Sequence, residues 1–107
     1  RNLAVVHGSM EHADAADVRD RPRKVAHVNL NAADLDGTNR FLSDVLGFRL
    51  VDHSGPLHFF NADSSDHCSL VTGKAATPTL NHVSFEMPDI DSTMRGAGRM
   101  RDAGYPI

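Results

Sequence analysis

The sequence predicts an α+β fold built from β-α-β-β-β modules, with the second module truncated. Three observations lead to this prediction: an internal repeat, strands that alternate in polarity, and an amphipathic helix after the first strand of each repeat. The chain has 107 residues, of which 40 % are hydrophobic and 23 % are charged. These values are typical of one small folded domain.

The repeat is visible when residues 27–30 are set over residues 82–85, at an offset of 55 residues. Each segment opens with a histidine and continues as a short run that favours a strand. In the same register, residues 34–36 fall on residues 89–91, and Leu46-Gly47-Phe48 matches Ala103-Gly104-Tyr105 after a slip of two. An ordered series in one register indicates two copies of one module.

The first module is predicted over residues 23–72. Its first strand, Lys24 to Asn31, alternates so that His27, Asn29 and Asn31 share one face. An amphipathic helix follows, and Gly47 ends it at a position where positive φ costs glycine little. The three remaining strands are predicted over Phe48–His53, Leu57–Ala62 and His67–Thr72.

The second module is predicted to begin at residue 80, after a linker over residues 73–79, and to continue through residue 107. It consists of a strand from about Leu80 to Met87 and a helix that Gly104 ends. The residues predicted to be buried on that helix are Ile90, Met94, Ala97 and Met100. Its later strands are missing and the chain starts with Arg1, so we expect a fragment of a longer protein, with residues 1–22 as a linker or tail from an upstream domain.

The composition argues against several classes of protein. The net charge is −3 with histidine neutral, so no basic footprint for nucleic acid is present. No apolar run approaches the roughly 20 residues of a membrane-spanning helix, and no signal peptide is visible. Cys68 is alone, which excludes an intrachain disulfide and a cysteine cluster for zinc. A cytoplasmic location is expected, since a reducing compartment fits this cysteine usage.

Two of the seven histidines, His27 and His82, hold the same position on the first strand of each module. If the modules pack with pseudo-two-fold symmetry, the two imidazoles converge. Imidazole is a common ligand of first-row transition metals, and two histidines with one carboxylate make an Fe(II) site with open positions. The alternative is that each is a half-buried strand histidine bonded to a neighbour.

The carboxylate of such a triad is expected outside this chain. The position in the second module that is equivalent to the end of the fourth strand in the first module falls beyond Ile107. Glu86 shares the face of His82, but four residues of strand span roughly 13 Å, so it is predicted to lie at the rim.

His67 is predicted to open the fourth strand and to face the same cavity as His27. There it can act as an acid–base beside the metal. The alternative is a solvent-exposed turn histidine after Asp66. Asn29 and Ser84 flank the two candidate ligands on their own strands, where they either orient substrate or water or line the cavity. His53 and His58 are predicted to be structural or exposed.

Val25–Leu30, Leu46–Phe48 and Leu80–Glu86 resemble segments of the vicinal oxygen chelate superfamily. This superfamily includes glyoxalases, bleomycin- and fosfomycin-resistance proteins and extradiol dioxygenases. The resemblance covers residues 23–107 and is most similar to the catalytic half of type I extradiol ring-cleavage dioxygenases.

That resemblance implies an enzyme that cleaves a small aromatic diol with O2. It implies Fe(II), with Mn(II) possible, held by His27, His82 and a glutamate beyond Ile107. The segment Asp66-His67-Cys68-Ser69-Leu70 is similar to the motif whose histidine acts on substrate and bound oxygen, which implies that His67 is catalytic.

Two alternatives remain open. One is another metal-dependent member, either a fosfomycin-type thiol transferase or a glyoxalase-like lyase. A glyoxalase would place a glutamate on the fourth strand, and none occurs between Leu57 and Thr79. The other is a metal-free binding protein of the bleomycin-resistance type, which needs no convergent histidines. A homo-oligomer is also expected, because the half-built second module exposes a strand edge.

Overall fold

The computed structural model describes residues 19–107, which form one five-stranded sheet and two helices. Residues 1–18, which include most of the predicted linker or tail, lie outside the described residues. The first helix, α1 (Leu35–Arg40), continues directly as a π-helical segment over Phe41–Val45. The elements in chain order are β1 (Lys24–Ala32), α1 (Leu35–Arg40), β2 (Arg49–Ser54), β3 (Leu57–Asn61), β4 (Leu70–Lys74), β5 (Thr79–Glu86) and α2 (Ile90–Asp102).

The sheet has the strand order β2-β3-β4-β1-β5. β1 pairs with β4 in parallel and with β5 in antiparallel, so the first strands of the two repeats are direct neighbours. β2, β3 and β4 form an antiparallel meander. The predicted α+β fold of one β-α-β-β-β module followed by a strand and a helix is therefore confirmed.

Helix α1 packs on one face of the sheet, and no helix of the described residues packs extensively on the other. Thr72 is fully buried on the covered face, where its hydroxyl donates to Asn39 Oδ1 at 2.7 Å. Phe60 and Leu42 are buried as well. In the register, Phe59 lies beside Val71 and Val71 beside Asn29, so these three form a row on the face opposite Thr72.

The fourth strand begins three residues later than predicted, at Leu70 instead of His67. Local hydrogen bonds hold the chain away from the sheet in this region: Asn61 Nδ2 donates to the carbonyl of Asp66, and the amide of Asp66 donates to Ser64 Oγ at 3.3 Å. Polar side chains that bond to nearby backbone compete with a strand ladder in this way. The strand also continues to Lys74, which shortens the predicted linker.

The predicted buried stripe on the second helix is wrong. Ile90, Met94 and Met100 are 71 %, 65 % and 53 % exposed, and Ala97 is half-buried. The buried residue of α2 is Ser92. An apolar stripe is buried only where another surface covers it, and no strand or helix of the described residues packs extensively against α2.

Polar contacts with Asp20 hold α2 in place. The Asp20 carboxylate is only 4 % exposed and accepts hydrogen bonds from Ser92 Oγ at 2.8 Å, from Arg95 Nε and Nη2 at 2.8 and 2.7 Å, and from Arg99 Nη1 at 3.2 Å. The Arg95 hydrogen bond is the main reason that the pKa of Asp20 lies well below its ordinary value of 3.8. Asp20 is thus the anchor between the segment before β1 and α2.

We expect Asp20→Asn to lower the free energy of unfolding at neutral pH. Because the folded pKa is below the unfolded one, the ionised carboxylate stabilises the fold fully above about pH 4, and this is lost as pH falls through the folded pKa. Urea unfolding at several pH values should therefore show a difference in the free energy of unfolding between wild type and variant, and this gap should narrow below about pH 4. Asp63→Asn, in the exposed loop before β4, is the matched control. A gap that stays constant with pH would contradict this assignment.

None of the helices in residues 19–107 has the length and apolar character needed to cross a membrane.

Candidate metal centre

The pairing of β1 with β5 contains two β-bulges, and each lies directly before a candidate ligand. Val25 and His27 pair with consecutive residues of β5, so Ala26 is the extra residue on β1. Asn29 and Leu30 pair with His82 and Leu80, so Asn81 is the extra residue on β5. A bulge increases the local twist and redirects the neighbouring side chain. Ala26 and Asn81 are themselves equivalent in the repeat, so the two bulges have the same pseudo-two-fold relation as the histidines.

The two bulged strands bring His27 and His82 together. Their Nε2 atoms are 3.1 Å apart, and the rings meet edge to face with centroids at 5.2 Å and an interplanar angle of 77°. His27 is half-buried and His82 is exposed. The predicted convergence of the two imidazoles is thus present, with the same nitrogen of each ring directed at the other.

Polar side chains surround this pair. Ser84 lies opposite His27 across the ladder, with its Oγ 3.2 Å from His27 Nε2. Asn29 lies opposite His82 and is only 8 % exposed, and its Oδ1 has no hydrogen-bond partner among the described residues. A buried acceptor without a donor is costly unless a water or ligand supplies one. Asn29 therefore leaves hydrogen-bonding capacity beside the two histidines.

The histidine pair fits a first-row metal ion. Two imidazole nitrogens that each lie about 2.1 Å from one ion, at a right angle, are separated by about 3.0 Å. The observed separation of 3.1 Å matches that edge. Within residues 19–107, no group of three or more histidine, cysteine, aspartate or glutamate side chains is placed to hold a metal. His27 and His82 can thus supply two ligands, and the third stays a prediction.

Glu86 lies at the far end of the β1–β5 ladder from Thr79. It pairs with Lys24 across the strands, and its Oε2 is 3.8 Å from Arg23 Nε. This carboxylate thus neighbours the basic residues at the start of β1, while the two imidazoles contact each other and Ser84.

His67 lies in the loop before β4, not on the strand as predicted. Its side chain is 69 % exposed, its ring centroid is 6.5 Å from that of Phe59, and its Nε2 is 3.9 Å from Asp52 Oδ2. Because Phe59 belongs to the row that contains Asn29, His67 lies over the same sheet face as His27. Two strand spacings, roughly 10 Å, separate β3 from β1.

The other sequence candidates lie apart from this pair. His53 and His58 neighbour each other on β2 and β3, with ring centroids 6.3 Å apart. Cys68 is half-buried, and this burial raises the pKa of its thiol, which disfavours the reactive thiolate. Asn81 was not among the sequence candidates, although it contacts His82 directly at 2.8 Å. Its position before the histidine, equivalent to Ala26, was the available signal.

Most of the described chain matches one protein family. The family model described as the Glyoxalase/Bleomycin resistance protein/Dioxygenase superfamily matches residues 24–107. The chain belongs to this superfamily. A comparison with curated proteins found no significant match.

Solved structures of two enzymes in the superfamily resemble the chain. The Mn(II)-bound glyoxalase from Novosphingobium aromaticivorans has 32 % identity and a TM-score of 0.71, over 85 % of this chain and 30 % of its own. Homoprotocatechuate 2,3-dioxygenase from Brevibacterium fuscum, in complex with 3,4-dihydroxyphenylacetate, has 19 % identity and a TM-score of 0.73, over 79 % and 27 %. The second likeness shows the shared fold. The chain spans less than a third of the length of either structure.

Proposed function

We propose that this chain carries two metal ligands of an extradiol dioxygenase, which cleaves a small aromatic diol with O2 and uses Fe(II). The observation that carries the proposal is the 3.1 Å separation of His27 Nε2 and His82 Nε2 at the paired bulges. This convergence favours a metal-dependent enzyme over a metal-free binding protein, which needs no such pair. The third ligand is a glutamate expected beyond Ile107.

The fourth strand supports a dioxygenase over a glyoxalase-like lyase. A glyoxalase is expected to carry a glutamate there, whereas β4 has the sequence Leu-Val-Thr-Gly-Lys and contains no carboxylate. The loop before β4 instead carries His67, over the sheet face opposite Thr72. A neutral imidazole in that position can accept a proton and return it at a later step.

The residues of the chain have distinct roles in this proposal. His27 and His82 would hold the ion, and Asp52 Oδ2 lies 3.9 Å from His67 Nε2, beyond hydrogen-bond distance. In this role His67 would accept a proton from one hydroxyl of the diol and return it to oxygen at a later step of ring cleavage, with both atoms of O2 retained in the product. Asn29 lies opposite His82 with its Oδ1 buried and without a donor, so it would line the site and accept a hydrogen bond from a water that reaches it. When bound, the metal supplies Lewis acidity, a template for the diol and a path for electrons.

A glyoxalase-like lyase is the second candidate, and the 32 % identity to a Mn(II)-bound glyoxalase favours it. Both enzymes need the histidine pair, so the metal site alone does not separate them. Mn(II) is also a candidate ion for the dioxygenase, since imidazole and carboxylate ligands accept both metals.

The test is a paired assay on the intact protein that contains this chain, loaded with Fe(II) or Mn(II). We expect stoichiometric metal, O2 uptake and a coloured ring-cleavage product with catechol or 3,4-dihydroxyphenylacetate. The hemithioacetal of methylglyoxal and glutathione is the competing substrate. Turnover of the hemithioacetal without ring cleavage would replace the dioxygenase with the lyase, and an intact protein that takes up no metal would contradict both.

A further inference from the structure

Asn81 contacts His82 on the side of the ring that faces away from His27. As the extra residue of the β5 bulge, it has no partner across the ladder, and its Oδ1 is 2.8 Å from His82 Nδ1. Ser84, in contrast, contacts the His27 ring at Nε2, the atom that also faces His82. Among the described residues, Asn81 is therefore the side chain that contacts a ring nitrogen facing away from the other histidine.

The contact determines which nitrogen of His82 carries the proton. A neutral imidazole has one N–H, and an amide oxygen can only accept a hydrogen bond. With Asn81 Oδ1 as acceptor, His82 Nδ1 donates, so His82 Nε2 carries the lone pair. A metal-binding histidine is commonly oriented in this way, by a hydrogen bond from its other ring nitrogen.

The short contact between the rings agrees with this arrangement. Because His82 Nε2 is an acceptor, a hydrogen bond across the 3.1 Å contact has His27 Nε2 as its donor, and Ser84 Oγ, 3.2 Å from the same nitrogen, is then a second acceptor of that N–H. The result is one directed chain of hydrogen bonds, from His27 through His82 to Asn81. The first module has Ala26 at the position of Asn81 in the second module. An alanine side chain has no hydrogen-bond acceptor, so it cannot orient the His27 ring as Asn81 orients His82.

We propose that Asn81 is a positioning residue that holds His82 in its metal-binding tautomer before any metal arrives. The proposal rests on the proposed metal site. It makes the two ligands unequal: His82 already carries its lone pair on Nε2, where the His27 N–H occupies it until an ion binds, whereas His27 must move its proton from Nε2 to Nδ1 in order to bind. Asn81 touches neither ion nor substrate and acts only through His82.

The tautomer can be measured without metal. The intact protein is labelled with ¹⁵N at histidine and studied metal-free at about pH 8.5, where an ordinary imidazole is neutral. Long-range ¹H–¹⁵N correlation spectra should show His82 with Nδ1 protonated and Nε2 unprotonated, and His27 with the reverse. In Asn81→Ala the His82 signals should move towards a mixture of tautomers, and Asn81→Asp should restore the wild-type pattern because a carboxylate oxygen also accepts.

The matched control is Asn31→Ala, which removes another asparagine from the same ladder, one that bonds to Thr79 Oγ1 at 3.0 Å. It should leave the His82 tautomer unchanged. Mn(II) titration of the same proteins should show an affinity about 10–100-fold weaker in Asn81→Ala, near wild type in Asn81→Asp and unchanged in the control.

The outcomes separate this inference from the proposed function. A wild-type His82 with the proton on Nε2, or an Asn81→Ala protein with unchanged tautomer and Mn(II) affinity, would overturn the role of Asn81 while the metal site stands. A wild type that has the expected tautomer and loses it in Asn81→Ala, but takes up no Mn(II), would overturn the metal site and leave the Asn81–His82 hydrogen bond established.

Discussion

Replacing His27 or His82 with alanine is expected to abolish stoichiometric metal binding and ring cleavage together in the intact protein. The two Nε2 atoms lie 3.1 Å apart, so each change removes one of two adjacent ligands and leaves a single imidazole from this chain. One imidazole and one carboxylate hold a first-row ion far less firmly than the full triad. Metal content after gel filtration and O2 uptake on the same preparation measure both effects.

The control for these variants is His53→Ala, since His53 lies on β2 and neighbours His58 instead of the candidate site. It should retain metal and activity. Thermal unfolding of all three variants checks that the sheet remains intact, because His27 and His82 lie on paired strands. Full metal content in His27→Ala or in His82→Ala would show that the replaced histidine is structural.

Replacing His67 with asparagine is expected to slow ring cleavage by about 10²–10⁴-fold, the usual contribution of a positioned acid–base. Its ring lies over Phe59, away from the contact between His27 and His82, so the variant should still bind metal and diol. Metal content, diol affinity and turnover should be measured on one preparation. These measurements distinguish a metal ligand from an acid–base residue, because only the replacement of a metal ligand should remove the ion from the protein.

Ser65→Ala is the matched control for His67, because both residues lie in the exposed loop between β3 and β4. It should leave turnover near wild type. If His67→Asn keeps turnover within about threefold of wild type, His67 is a solvent-exposed loop residue. The choice of a dioxygenase over other members of the superfamily would then lack its main support in this chain.

Local sequence patterns were sufficient for most element boundaries. Asp34 and Asp89 begin their helices as N-caps, with side chains that accept from Gly37 N at 3.0 Å and Ser92 N at 2.7 Å. Gly47 and Gly104 follow the helices at φ of 81° and 93°. Caps and helix ends depend on a few neighbouring residues, so the sequence alone encodes them.

The errors arose from contacts that strand and helix periodicity do not encode. His67 alternates with Ser69 and Val71 as a strand residue would, but hydrogen bonds made by Asn61 and Ser64 keep it in a loop. The stripe that contains Ile90 and Met94 has helical spacing, but spacing alone does not specify which surface is available to cover it. Asp20, about 70 residues earlier in the chain, instead decides where α2 lies.

The sequence by itself determined the superfamily and the equivalence of His27 and His82, because a repeated module leaves the same residue types at a constant offset. Only the tertiary structure decided that their Nε2 atoms lie 3.1 Å apart and that Asn81 contacts His82 at Nδ1, the nitrogen that faces away from His27. Both facts depend on two bulges in the antiparallel pairing of β1 with β5. A bulge is a property of two strands in register, and the periodicity of either strand alone does not contain it.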